Sequence, residues 1–242
     1  MAKRHKYPVA LTIAGSDSGG GAGIQADLNT FAALGVHGTS AITAVTAQNP
    51  RAVLGIQACR PEIVRRQLEA VFAELPPRAC KTGMLFNAAI IRAVAEFFRR
   101  QPHPALVVDP VMIATSGANL LRSAALEALK DQLLPLAALV TPNLPETELL
   151  LGSKIQSEED MRQAADIFFD GRTELLLTAP LIRGLSLHGT GCAYSAAITG
   201  YLALGRALAE AVSLAKEYIT QAIAHSRLVN GHRVLNWSWQ RR

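Results

Sequence analysis

Short runs of apolar residues alternate along this chain with longer stretches in which apolar residues recur at helical spacing. The short runs predict β-strands at 9–13, 39–45, 105–109, 137–140 and 173–178. The longer stretches predict helices at 23–34, 61–75, 86–100, 123–134, 144–151, 190–204 and 208–228. Apolar strands that alternate with helices favour an α/β fold, in which a mainly parallel sheet carries helices on both faces.

Composition narrows this picture further. Half of the 242 residues are hydrophobic, which is enough to build the core of one domain spanning 1–242. Cys59, Cys80 and Cys192 form no Cys-x-x-Cys pair, so we expect free thiols and a cytoplasmic, reducing compartment. No apolar run reaches about 18 residues, so no membrane span is expected. The net charge of +5 comes from scattered Lys and Arg, which argues against nucleic-acid binding and suits small anionic ligands.

The most informative motif is His-Gly-Thr-Gly-Cys at 188–192, directly before a predicted helix. A helix start leaves backbone N–H groups without partners, and the helix dipole adds a partial positive charge. Gly189, Thr190 and Gly191 are therefore predicted to cradle a phosphate group. The same field is expected to lower the pKa of the Cys192 thiol, which would place a base beside the cradle.

A second glycine-rich segment, 14–23, follows the first predicted strand. Gly-x-Gly-x-x-Ala at 21–26 matches the dinucleotide pattern, but no acidic residue lies between Asp27 and Glu62 to hold a ribose. No Gly-Lys-Ser/Thr follows, so this is not a Walker loop. We expect its backbone N–H groups to approach a small substrate closely. Asp27 either faces that substrate or complements the helix dipole.

Three further positions follow predicted strands. The Gln48 amide carries a donor and an acceptor and can pair with an aminopyrimidine-like edge, although it could instead cap its own loop. Asp109 can orient a phosphate-bound cation or close a loop. Asn143 and Glu146 have capping-box spacing, which is compatible with a place near Mg²⁺ through water.

Taken together, these motifs resemble the hydroxymethylpyrimidine/phosphomethylpyrimidine kinases of thiamine biosynthesis. The motifs that carry the resemblance lie at 10–27, 45–49, 81–84, 107–112, 141–143 and 188–192, and the similarity runs from about 9 to 228. The resemblance implies a ribokinase-like fold, ATP and Mg²⁺. It also implies phosphorylation of the pyrimidine hydroxymethyl group and then of the resulting monophosphate. We expect a homodimer.

The resemblance also implies roles for individual residues. Gln48 should bind the pyrimidine, in a pocket lined by Gly15, Ala22, Val45, Met84 and Val111. Asn143 and Glu146 match the Asn-x-x-Glu element of the family, near metal and phosphate. Cys192 stands where ribokinase relatives carry a catalytic Asp, so it should accept the proton of the substrate hydroxyl.

Two departures from the family pattern matter. Family members carry more chain after the Met-Arg-Gln-Ala-Ala at 161–165, including a core strand and a Lys-Gly-Gly-His loop for the nucleotide. Here Ala165 runs directly into Asp166. Because loss of a core strand would expose its neighbours, we hypothesise that the molecule carries a segment here that the printed sequence leaves out. In addition, Gly-Leu-Ser-Leu at 184–187 replaces the usual Asn-Thr before the histidine.

Three rival functions remain open at this point. A pyridoxal kinase of the same fold would use the same motifs. A pyrimidine-binding protein with impaired catalysis would fit the absent lysine segment. A cysteine hydrolase is disfavoured because no His–Asp pair is legible around Cys192.

Overall fold

A six-stranded sheet forms the centre of the computed structural model, which describes residues 7–100, 102–112, 123–157 and 187–240. Its strands are β1 (Val9–Asp17), β2 (His37–Gln48), β3 (Val53–Ala58), β4 (Ala79–Thr82), β5 (Ala105–Val108) and β6 (Leu139–Val140). They lie in the order β3-β2-β1-β4-β5-β6, and every neighbouring pair is parallel except β2 with β3. The predicted α/β fold with a mainly parallel sheet is confirmed.

Helices cover both faces of this sheet, since strand residues alternate between two apolar surfaces. Seven α-helices lie in the described residues: α1 (Gly23–Ala33), α2 (Pro61–Glu74), α3 (Ala88–Arg99), α4 (Ser123–Ala128), α5 (Leu144–Leu151), α6 (Thr190–Ala203) and α7 (Leu208–Ala224). Leu11, Cys80 and Leu106 pack with α2 and α3 on one face. Their neighbours Ala79 and Val107 lie in the clusters that α1, α6 and α7 form on the other face.

Several predicted bounds differ from the structure. Strands β3 and β4 were not predicted; β4 is only four residues long and includes a charged one, Lys81. The helix predicted at 123–134 is α4 followed by a π-helical turn, Leu129–Leu133, and a 3₁₀ turn, Leu134–Leu136. The strand predicted at 173–178 and the junction between Ala165 and Asp166 lie outside the described residues.

The prediction of a helix to 228 is wrong. Helix α7 ends at Ala224, and the chain then forms a hairpin of β7 (Arg227–Val229) and β8 (His232–Val234). Asn230 and Gly231 join the two strands at φ +46° and +82°. Positive φ at both residues is the requirement of a two-residue hairpin turn, and Asn-Gly meets it with little strain.

The parallel strands bring their carboxyl ends to one edge of the sheet. Asp17, Gln48 and Thr82 end their strands there, and Asp109 and Thr141 directly follow two others. In open α/β sheets this edge is where ligands bind.

Among the residues that the structure describes, no helix is long and apolar enough to cross a membrane.

Candidate active site

A cavity of about 520 Å³ opens at this edge of the sheet. Segments after β1, β2, β4, β5 and β6 contribute to its wall, together with the start of α6 and the hairpin. The cavity brings together thirteen of the fourteen predicted site residues: Gly15, Ala22, Asp27, Gln48, Met84, Asp109, Val111, Asn143, Glu146, Gly189, Thr190, Gly191 and Cys192.

Val45 is the predicted site residue that does not line the cavity. In β2 the side chains of Thr46 and Gln48 lie on the cavity side, while Val45 is 51 % exposed. Successive side chains of a strand alternate between faces, so a residue next to Thr46 points away. The expectation that Val45 lines the pyrimidine pocket is therefore corrected.

The first glycine loop is organised by Asp17 rather than left open to a substrate. The Asp17 carboxylate accepts hydrogen bonds from the N–H groups of Gly19 (2.8 Å), Gly21 (3.1 Å) and Ala22 (2.9 Å). Burial opposes ionisation of Asp17, but contact with His188 and these N–H donors outweighs it and lowers the pKa of the carboxyl. The expectation that these N–H groups contact a substrate is thus wrong for three of them.

Small residues let the apolar wall of the cavity come close to the backbone. A Cβ at Gly15 would lie 2.5 Å from Cε of Met84, so the Met84 thioether lies directly over this glycine. Val111 adopts φ +38°, a value that costs strain for a β-branched residue. Such strain at a cavity wall is typical of a residue held in place for binding.

The start of α6 meets the first glycine loop through backbone contact. Gly189 precedes the helix at φ +83°, and a Cβ there would lie 1.8 Å from the carbonyl oxygen of Gly21. Only glycine fits this position. Thr190, Gly191 and Cys192 form the first turn of α6, where N–H groups have no partner within the helix, and all three residues line the cavity.

Cys192 lies in the first turn of α6, close to the backbone of Gly23 at the start of α1. Burial raises the pKa of Cys192 to about 12, while the positive charge of Lys81 acts in the opposite direction. The expectation of a lowered pKa is wrong, because loss of solvation outweighs the opposing effect of Lys81.

A buried ion pair between Lys81 and Asp27 lies next to Cys192. Nζ of Lys81 lies 2.7 Å from Oδ1 of Asp27 and 3.4 Å from the carbonyl oxygen of Cys192. The hydroxyl of Thr12 donates to Oδ2 of Asp27 at 2.6 Å. Both carboxylate oxygens of Asp27 therefore already accept hydrogen bonds inside the protein. The expectation that Asp27 contacts substrate is corrected: its carboxylate instead holds Lys81, which lies next to Cys192.

Asp109 connects this pair to α6. Its Oδ2 accepts a hydrogen bond from the Ser195 hydroxyl at 2.9 Å and lies 3.9 Å from Nζ of Lys81. Burial raises the pKa of Asp109 to about 6; Lys81 opposes this rise, and Glu146 adds to it. Asp109 is therefore a carboxylate that any nearby cation would help to ionise.

Asn143 and Glu146 form the predicted capping box at the start of α5. The N–H of Glu146 donates to Oδ1 of Asn143, and the N–H of Asn143 donates to Oε2 of Glu146, both at 3.0 Å. Oε1 of Glu146 accepts from the N–H of Met112 at 3.1 Å, which ties α5 to the segment after β5. Nearby, the buried Oγ1 of Thr141 has no hydrogen-bond partner among the described residues.

Sequence reasoning missed several residues of this site. Asp17 and Lys81 stand inside the motifs quoted above, but the sequence predicted no role for either of them. Arg51, His232 and Arg233 line the cavity from the β2–β3 loop and the hairpin. The Asn-Gly at 230–231 is the signal that could have revealed the hairpin, whereas no local signal pairs Asp27 with Lys81, 54 positions away.

Comparisons with known proteins agree with this fold. The family model described as phosphomethylpyrimidine kinase matches residues 17–169 and 163–236. A crystal structure of phosphomethylpyrimidine kinase from Clostridium difficile 630 is 44 % identical, covers 90 % of this chain and 100 % of its own, and has a TM-score of 0.78. The Bacillus subtilis pyridoxal kinase in an ADP complex is 34 % identical, with 98 % and 99 % coverage and a TM-score of 0.88.

A longer relative shows similarity in one half. The thiamine biosynthesis bifunctional protein ThiED of Geobacter sulfurreducens is 47 % identical over 93 % of this chain, which spans 51 % of that protein. That alignment runs over 251 positions, more than the 242 residues present here, so it includes positions that this chain leaves empty. The two pieces of the family match meet at 163–169, around Ala165 and Asp166.

Proposed function

This chain belongs to the phosphomethylpyrimidine kinase family, and from that premise we propose that it is a kinase of thiamine biosynthesis. It transfers the γ-phosphoryl group of ATP to 4-amino-5-hydroxymethyl-2-methylpyrimidine and then to the resulting monophosphate. The observation that carries the proposal is the meeting of Gln48, Cys192 and the start of α6 in one cavity. A ring-recognising amide, a proton acceptor and an anion cradle are the parts that this reaction requires.

Pyrimidine binding is assigned to the wall formed by β1, β2 and β4. The Gln48 amide meets the polar edge of the ring, and Met84 and Val111 contact its apolar faces. Gly15 leaves room for the Met84 side chain to pack against the backbone, and the small side chain of Ala22 lines the same cavity. Ring binding in this way directs the hydroxymethyl group toward the start of α6.

Phosphoryl transfer is assigned to 189–192. The N–H groups of Gly189, Thr190 and Gly191 neutralise charge on the migrating group. The substrate oxygen bonds to the γ-phosphorus as the bond to the bridging oxygen breaks. ADP leaves with the electron pair, and Sγ of Cys192 takes the hydroxyl proton. Because the thiol pKa is about 12, the thiolate is a minor species at neutral pH and the rate should rise with pH.

Three side chains that line the cavity carry oxygen atoms that fit Mg²⁺. Asp109, Glu146 and the unpartnered hydroxyl of Thr141 are hard ligands of the kind this ion prefers. Within the described residues no group of three His, Cys, Asp or Glu could hold a metal. We therefore propose binding through water and the substrate phosphates, where Mg²⁺ would supply charge neutralisation.

A direct assay tests the proposal. Purified protein with ATP and Mg²⁺ should release ADP when the aminopyrimidine alcohol is added, and mass spectrometry should show the monophosphate and then the diphosphate. Cys192→Ala should lower kcat by about 10²–10⁴-fold while leaving pyrimidine affinity nearly unchanged. A clear preference for pyridoxal would favour the rival pyridoxal kinase function instead.

A second candidate is a pyrimidine-binding protein with impaired catalysis. The two-piece family match supports it, because the expected Lys-Gly-Gly-His loop would fall between Ala165 and Asp166. Intact-mass spectrometry of natively expressed protein decides between the two. A mass above the 25.8 kDa of the printed chain would favour an added segment and full kinase activity, whereas 25.8 kDa, pyrimidine binding and no ADP release would favour the second candidate.

We also propose a homodimer in the cytoplasm. Cys59, Cys80 and Cys192 are all free, which supports a reducing compartment. Leu54, on β3 at one end of the strand order, is 75 % exposed, and Val45 on the neighbouring β2 is also exposed, which supports burial of this sheet edge against a second copy. Light scattering after size exclusion should give twice the chain mass, and Leu54→Glu should shift it toward the monomer.

A further inference from the structure

We propose that Glu146 is a positioning residue of the pyrimidine pocket: through the N–H of Met112 it holds Val111 in the backbone conformation that keeps this side chain in the cavity wall. The inference rests on the proposed function for one point only, the contact between Val111 and the pyrimidine ring. It gives Glu146 a task toward the substrate that needs no metal, in addition to its proposed place near Mg²⁺.

Val111 lies in a conformation that its own side chain disfavours. Its φ of +38° falls in the left-handed region, and it is the one β-branched residue with positive φ in the part of the chain that the structure describes. Val111 lines the cavity, whereas the next residue, Met112, is 1 % exposed and packs in the core. A turn of this kind persists only where surrounding contacts hold it.

Contacts on both sides of Val111 supply that hold. Before it, the N–H of Asp109 continues the ladder between β5 and β4, 3.0 Å from a carbonyl oxygen of β4. The ring of Pro110 then fixes φ of that residue. After it, the N–H of Met112 donates a hydrogen bond to Oε1 of Glu146 at 3.1 Å. Because φ of Pro110 is fixed, the turn between these two anchors falls on Val111.

Glu146 is itself held firmly enough to act as an anchor. It is 3 % exposed, and its other carboxylate oxygen, Oε2, accepts a hydrogen bond from the N–H of Asn143 at 3.0 Å. A hydrogen bond to a carboxylate is about twice as strong as one between neutral groups. Its strength is of the same order as the strain of a non-glycine residue at positive φ. Loss of this one bond should therefore let Val111 relax.

Calorimetric binding of the aminopyrimidine alcohol, without nucleotide and with EDTA to remove Mg²⁺, tests the inference. Glu146→Leu removes the acceptor for Met112, so the Val111 side chain leaves its place and binding should weaken by about 5–20-fold, the effect of losing one apolar side-chain contact. Thr147→Ala is the matched control. It removes the hydrogen bond from the Thr147 hydroxyl to the carbonyl oxygen of Asn143 at the same helix start, and should change the affinity by less than about twofold.

A double-variant cycle with Val111→Gly separates positioning from general support of the fold. Glycine adopts positive φ without strain, so residue 111 then no longer depends on Glu146. Val111→Gly alone should weaken binding by about 5–20-fold through its missing side chain. Adding Glu146→Leu should weaken it by less than about a further twofold, because Glu146 acts through Val111.

Pro110→Ala perturbs the same turn from its other side. It frees the backbone before Val111 while the bond from Met112 to Glu146 remains, so binding should weaken by about 2–5-fold, and only while Val111 is present. Melting temperatures of all variants check folding, and Pro110→Ala carries the cycle if Glu146→Leu does not fold.

Two results would overturn the inference. An affinity unchanged in Glu146→Leu would leave this carboxylate a role toward Mg²⁺ alone. Equal weakening by Glu146→Leu, or by Pro110→Ala, with and without the Val111 side chain would mean that these residues support the fold and do not act through Val111.

The kinase proposal stands or falls separately. Wild type that binds the pyrimidine and shows these effects but releases no ADP would refute the proposed kinase function and leave the role of Glu146 intact. Wild type that phosphorylates the pyrimidine, with the effects of Glu146→Leu and Val111→Gly simply adding, would refute the role of Glu146 and leave the kinase function intact. Wild type that does not bind the pyrimidine would refute both.

Discussion

Replacing Lys81 by Met should lower the free energy of unfolding by about 3–5 kcal/mol, the usual effect of removing one partner from a buried pair. Lys81 and Asp27 are both fully buried, and their charged atoms lie 2.7 Å apart. At an effective dielectric constant of about 20, two unit charges at this distance attract by about 6 kcal/mol. The Thr12 hydroxyl still donates to Asp27 in the variant, so part of the loss is compensated.

The loss should depend on pH with a defined sign. Burial already raises the pKa of Asp27, and removal of Lys81 raises it further. A carboxyl with a raised folded pKa stabilises the fold below its unfolded pKa, and that contribution disappears as the pH rises through the folded pKa. Lys81→Met should therefore be more destabilising at pH 8 than at pH 5.

Urea unfolding at 25 °C, followed by circular dichroism at both pH values, measures this effect. Adding Asp27→Asn to Lys81→Met should recover part of the stability at pH 8, because no unpaired charge is then buried. Arg100→Met, which breaks the exposed pair with Glu96, is the control and should change little. A change of less than about 1 kcal/mol in Lys81→Met, or a double variant no more stable than it, would refute the reasoning.

Three further predictions concern the start of α6 and its partner Asp109. Burial raises the Asp109 pKa to about 6, so the carboxyl stabilises the fold below its unfolded pKa and loses that contribution as the pH rises through 6. Between pH 4 and pH 7 the free energy of unfolding of Asp109→Asn should therefore rise by up to about 3 kcal/mol relative to that of wild type, measured by urea unfolding without Mg²⁺. Gly189→Ala should lower the unfolding free energy by at least about 1–3 kcal/mol through its positive φ and the clash with Gly21, whereas Gly191→Ala, which meets open space, should leave the melting temperature unchanged. If Cys192 is the base, log kcat should rise from pH 7 to 9, and Cys192→Asp should flatten that profile; a flat wild-type profile would contradict the role.

Local pattern was sufficient for much of the fold. Helix α6 begins at Thr190 as predicted, because Gly189 adopts the positive φ that separates the helix from the preceding chain and an Ala-rich run follows. Pro61 and the Asn143–Glu146 box likewise begin α2 and α5 at the predicted residues. The short strand β4 escaped prediction because its burial on both faces comes from neighbouring strands and helices rather than from its own four residues.

The sequence by itself determined the alternation of strands and helices, the helix start after Gly189 and the residue types that gather at the sheet edge. These are consequences of periodicity, capping and glycine geometry, which act over a few residues. Only the tertiary structure decided which groups are desolvated and which meet. It raised the pKa of Cys192, engaged Asp27 with Lys81 and brought His188 to Gln48, because burial and charge pairing depend on distances in space between residues far apart in the chain.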